Sequence, residues 1–182
     1  MDGVAINCMV LERIILSGGN MKVALTGHRP QRLGLPEDET NKEWWRIRRW
    51  VIDTLYSLMY YKQELHMYSG MADGCDYLFA QIGICLRNVK LHCILPCKNY
   101  NSTHKLYEEI KERSYEWVEL SDEFYKGCDS VRDQYLVDHC DVLIAIWDGK
   151  KSGGVWSTIR KAQEAGKRII YCPKELLERC GK

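Results

Sequence analysis

Three apolar runs in this chain stop at small residues and glycine, a pattern suited to gripping an anion. The most informative runs from Asp141 to Gly149, through Trp147-Asp148-Gly149, and is followed by Ser152-Gly153-Gly154 and a helical pattern with Ser157 and Thr158 in its first turn. Glycines opening a helix leave main-chain N–H groups unobstructed by Cβ, and the helix start adds partial positive charge worth roughly 0.3–1 kcal/mol to an anion. Lys22 to Thr26 runs likewise into Gly27-His28-Arg29-Pro30, where Gly27 permits a sharp turn and Arg29 offers a planar fork of donors for phosphate. Leu65 to Tyr68 runs into Ser69-Gly70-Met71-Ala72-Asp73-Gly74, where hydroxyl and backbone can approach ribose or phosphate. Together these features favour a bound anion and require no catalysis.

Each residue also has a plainer reading. The glycines can simply make tight turns, and Arg29 can pair with Asp148 or Asp73. His28 is a candidate base or a cap for a neighbouring carbonyl. Trp147 either stacks on a base or finishes the edge of the core. Asp148 holds a ribose hydroxyl or caps the turn at Gly149. Arg132, on residue type alone, is a helix-surface cation.

For the three segments to converge they need a common scaffold. Apolar runs bounded by turn residues predict strands at 21–26, 65–68, 91–95, 117–120, 142–146 and 168–172, the third stopped by Pro96. Between them the spacing predicts helices. One follows a cap at Thr40 or Asn41, with Trp44, Ile47, Val51, Leu55 and Leu58 on one stripe; others cover about 73–88, 103–114, 130–139 and 155–165. Residues 32–41 read as a polar loop. This alternation is that of an α/β, Rossmann-like fold, a mostly parallel central sheet with helices on both faces and a ligand crevice beyond the strands' carboxyl ends.

At 182 residues, with 26 Lys and Arg against 25 Asp and Glu, the chain reads as one domain with no field pulling it toward nucleic acid or an anionic membrane. Arg46, Arg48 and Arg49 read as a solvated helix face, with Arg49 placed to pair with Asp53. Nine scattered cysteines without a Cys-x-x-Cys pair or a secretory signal point to a reducing cytoplasm. A metal cluster of His92, Cys93 and Cys97 is disfavoured because Pro96 and strand alternation splay those side chains, so neither metal nor cofactor is expected. Val10 to Leu16 is too short and too charged for a transmembrane span. Residues 1–20 read as an N-terminal extension: Ser17-Gly18-Gly19-Asn20 can be encoded by a ribosome-binding sequence just ahead of a Met21 start, leaving 21–182 as a single nucleotide-binding domain.

The motifs Thr26-Gly27-His28-Arg29-Pro30, Ser69-Gly70-Met71-Ala72-Asp73-Gly74-Cys75-Asp76, Leu95-Pro96, the segment Val131 to Asp138, and Trp147-Asp148-Gly149 with Gly153-Gly154 resemble, in order and spacing, the YpsA-like branch of the SLOG superfamily (Smf/DprA-LOG-like). The resemblance implies a Rossmann-like domain that binds a nucleotide-derived small molecule, an ADP-ribose-like or cyclic-nucleotide signal. It further implies a homodimer, and it makes Arg132 a phosphate contact. Its relatives include phosphoribohydrolases, whose helix after the glycines carries a glutamate; residues 155–160 here hold no carboxylate, and Arg132-Asp133 stands where Arg-Asn is usual. Binding rather than turnover is therefore expected, in a sensor or sequestering protein such as a phage counter-defence protein. The alternative is a nucleotide hydrolase in which Asp73, Asp76 or Asp133 replaces the glutamate.

Overall fold

The computed structural model describes residues 20–59 and 64–178. Along them lie β1 (Met21–Gly27), the one-turn α1 (Pro30–Leu33), a 3-10 turn (Lys42–Trp44) leading into α2 (Trp45–Met59), β2 (Leu65–Ser69), α3 (Cys75–Cys85) and β3 (Val89–Leu95). Then come α4 (Tyr107–Arg113), β4 (Glu116–Glu119), α5 (Cys128–His139), β5 (Val142–Ile146), α6 (Gly153–Glu164), β6 (Arg168–Tyr171) and α7 (Lys174–Glu178). The strands form one sheet in the order β4-β3-β2-β1-β5-β6, and every pairing is parallel. The fold is the α/β, Rossmann-like one that the alternating pattern predicts.

Burial on both faces explains why β5 reads as an unbroken apolar run: all five of its residues are buried. Alternate residues along the strands divide between two cores. Val23, Leu25, Met67, Cys93, Ile144 and Ile146 pack with the α2 stripe Ile47, Val51, Leu55 and Leu58, with α3 and with Tyr107 and Ile110 of α4. Ala24, Tyr68, Ile94 and Leu143 pack on the other face against Leu136 and Val137 of α5 and Ala162 of α6. Each fully buried aliphatic side chain stabilises the fold by about 1.5–3 kcal/mol relative to exposure.

Boundaries differ where local chemistry overrides apolar spacing. Pro30, at the first helical position, starts α1 just ahead of the stretch expected to be loop, the helix runs into that stretch through Arg32 and Leu33, and Gly34 ends it at φ 65°. Asn41 caps as expected, its side chain accepting from the Glu43 N–H. The helix expected from 103 begins only at Tyr107, because the preceding residues make turns with Asn99 and Asn101 at positive φ. Gly74 at φ 87° delays α3 to Cys75. Arg49 does pair with Asp53, at 2.9 Å on an exposed face.

His92 and Cys93 lie on opposite faces of β3, the imidazole stacked on Tyr68 and the thiol in the larger core. Among the described residues no group of three or more His, Cys, Asp or Glu is placed to hold a metal ion, and no helix is long and apolar enough to cross a membrane. The proposed extension falls, apart from Asn20, outside the described residues.

Candidate functional site

The strand order reverses beside β1. The chain steps outward through β2, β3 and β4, then returns to β1's other side with β5, so the loops leaving β1 and β5 diverge and open a crevice at their carboxyl ends. Gly27 and Ile146 are register partners at that rim. The crevice, of about 420 Å³, is lined by Thr26, Gly27, His28, Arg29 and Arg32 from the β1–α1 segment, and by Ala72 and Asp76 ahead of and within α3. Asp129, Arg132 and Asp133 of α5 also line it, with Ser152, Gly154 and Val155 at the start of α6. Six of the sequence-selected residues line it: Thr26, Gly27, His28, Arg29, Arg132 and Gly154.

Gly27 is needed for close approach rather than for a turn. A Cβ there would lie 2.4 Å from Cys75 Cβ, and its backbone is not left-handed. His28 is 4% exposed and latches the two strand ends together. Its N–H donates to the Ile146 carbonyl, and its Nε2 lies 3.2 Å from the Asp148 amide and 3.1 Å from Asp148 Oδ1. Burial lowers its pKa more than the contact with Asp148 raises it, so the imidazole is neutral at pH 7. Arg29 is largely exposed and reaches Asp73 at 3.5 Å and the Tyr100 hydroxyl at 3.4 Å.

Arg32, in the stretch that the sequence predicts to be a polar loop, is the cation that meets the glycine helix. Its Nε and Nη2 fork onto Asp148 at 2.9 and 3.2 Å, while its Nη1 stands 3.7 Å from where a Cβ would project from Gly153. Burial raises the Asp148 pKa, but hydrogen bonds from the Lys150 N–H and Arg32, with the His28 ring beside them, outweigh it and hold the carboxyl at about 2. The α6 N-terminus has no side-chain cap and no acidic residue in its first turn, and nothing lies within 4 Å of a Cβ placed on Gly154. A helix start leaves its first N–H groups without intrahelical partners. Here they share the crevice wall with a guanidinium, two positive features with no carboxylate of α6 between them.

The α3 start is the opposite case. The Met71 N–H is taken by Ser69 Oγ, that of Ala72 by Asp76, and that of Gly74 by the fully buried Glu39 at 2.6 Å. Ser69 itself is buried and donates to the Asp76 carbonyl. Met71, at φ 57°, packs into the core. Gly70 faces Arg132 rather than the open crevice: a Cβ there would lie 2.7 Å from Arg132 Nη1, and that nitrogen donates to the Gly70 carbonyl.

Arg132 is buried, with Asp133 at 2.9 Å, Asp129 at 3.7 Å and Asp76 at 3.8 Å. Burial raises the Asp76 pKa to about 6 despite the guanidinium. The remaining sequence-selected residues stand back from the crevice. Trp147 stacks on Trp156 with centroids 5.3 Å apart and donates to the Lys150 carbonyl. Gly149 turns at φ 89°, Gly153 at φ 81° behind Gly154; Ser157 is half-buried, and the buried Thr158 donates to the Gly154 carbonyl.

No family model matches the chain, and no curated protein does. Among solved structures, DNA processing protein A (DprA) from Streptococcus pneumoniae is similar, with a TM-score of 0.61 at 17% identity over 88% of this chain. The chain spans about half of that protein, 54% of its length. The two share the Rossmann-like fold.

Proposed function

We propose that the protein binds a nucleotide-derived small molecule in this crevice, an ADP-ribose-like or cyclic-nucleotide signal, as a cytoplasmic, homodimeric sensor or sequestering protein of the SLOG superfamily. One observation carries the reading: Arg32 Nη1, left over from the fork onto Asp148, and the uncapped α6 N-terminus converge on one wall, so donors without a partner face the crevice together. The cavity volume falls in the range of small-molecule sites, and the crevice lies at the sheet's switch point, where such folds place ligands. The likeness in fold to DprA supports the superfamily; a net charge of +1 gives no reason to carry DNA processing over. Mass spectrometry of small molecules released from the purified, heat-denatured protein tests the proposal. An intact nucleotide is expected, and the reading fails if none is released and no nucleotide raises the melting temperature.

A second reading is favoured by Asp76. A carboxyl titrating near 6 beside Asp133 in the same crevice is poised for general acid–base work, as a nucleotide hydrolase would require. Free base appearing on incubation with AMP, CMP or NAD, and lost in Asp76→Ala or Asp133→Ala, would establish it.

A further inference from the structure

We infer that the crevice selects a nucleotide whose phosphate is confined to one side and whose other side presents hydroxyl donors, with Asp129 and Asp133 rejecting a second phosphate. The inference rests on the reading that the crevice binds a nucleotide, and it narrows the ligand within that class.

The two walls of the cavity differ in sign. On one side stand Arg32 and the amides of α6. On the other, α5 presents Asp129 and Asp133 around Arg132, with Asp76 reaching in from α3. Three carboxylates surround a single guanidinium, so this wall stays negative even when Asp76 holds a proton. Arg132 is turned toward the protein: its Nη1 donates to the Gly70 carbonyl, its Nε to Asp133, its Nη2 faces Asp129 Oδ1 at 3.7 Å, and its side chain is 8% exposed. A second anion placed here meets carboxylates first. A hydroxyl meets what this wall lacks, since Asp129 Oδ1 is buried without a hydrogen-bond donor. A free ribose diol supplies such donors; a cyclic dinucleotide or a bisphosphate puts charge there instead.

AMP and adenosine 3′,5′-bisphosphate share base and sugar and differ only in a phosphate on the 3′ oxygen, so calorimetric titration with each isolates the effect. The protein is expected to bind AMP about tenfold or more tightly than the bisphosphate, since like charges brought together in a site are strongly disfavoured. In Asp129→Asn/Asp133→Asn, whose amide oxygens still accept from Arg132, the preference should fall to about threefold or less. Asp129→Asn alone, at a half-exposed position, should move the ratio the same way and covers the case in which the double variant fails to fold. Equal binding of both nucleotides, or a ratio unchanged in the variants, overturns the inference. If AMP binds, is lost in Arg32→Ala and is no tighter than the bisphosphate, only this inference fails; if neither binds, this inference fails, and the nucleotide reading fails with it when no nucleotide is released from the protein or raises its melting temperature.

Discussion

Removing one guanidinium tests the anion wall most directly. A hydrogen bond to a charged group contributes about 1.5–3 kcal/mol, so Arg32→Ala should weaken nucleotide binding on the order of 10- to 100-fold in a calorimetric titration. Arg29→Ala, at a residue more than half exposed and already near Asp73, should cost only a few-fold. An equal loss in the two variants would contradict the assignment of Arg32. Asp76 predicts a pH effect. Its folded pKa of about 6 lies above its ordinary 3.8, so its contribution favours folding below about pH 4 and is lost as pH rises through 6. The difference is about 3 kcal/mol at most. Asp148 has the opposite sign, stabilising above its ordinary value and losing that contribution as pH falls toward 2. The melting temperature of Asp76→Asn minus that of the parent protein should therefore be larger near pH 7.5 than near pH 5, and a gap independent of pH would contradict it. Arg32 was not legible in sequence because its role depends on a one-turn helix aiming it at Asp148, 116 residues away.

At the scale of elements, the glycines separate into those that let segments pack and those that open a surface. Gly27→Ala drives a Cβ into Cys75 where α3 crosses the end of β1, and overpacking of this kind costs about 1–3 kcal/mol. Gly154→Ala meets nothing and should leave the denaturation midpoint almost unchanged, while Gly153→Ala must adopt φ 81° and lose about 1 kcal/mol. Chemical denaturation of the three variants checks this order, and a Gly154 variant as unstable as the Gly27 variant would refute it. The sequence pattern located both glycine-rich turns but could not rank them. In β2's turn the amides are already taken by Ser69, Asp76 and Glu39, and Glu39 lies 35 residues from the Gly74 amide it holds. In α6 the amides are uncapped because Ser152 makes no side-chain hydrogen bond there. Satisfaction of donors is a tertiary property, and glycine spacing does not report it.

Across the whole molecule, the alternation of apolar runs with amphipathic spacing was enough to read the fold class, because a parallel sheet covered on both faces leaves a distinct mark on each strand and helix. Strand order was beyond it: nothing local says that β5 pairs with β1 rather than with β4. We propose that residues 1–20 are an extension that the domain does not require. A chain begun at Met21 is expected to stay soluble and to melt cooperatively, and insolubility on truncation would show that the segment completes the fold.

The pairing of β1 with β5 joins the first described strand to one about 120 residues later, and the latch from His28 to Asp148 spans the same distance. Contacts so remote in sequence carry a large loop-closure cost. During synthesis, β1 through β4 can emerge and begin to assemble while the crevice is still missing a wall. Only when α6 has left the ribosome does the glycine-rich helix start come up beside Arg32, so a nascent chain, or one cut short before residue 153, lacks the wall on which the proposed anion site depends.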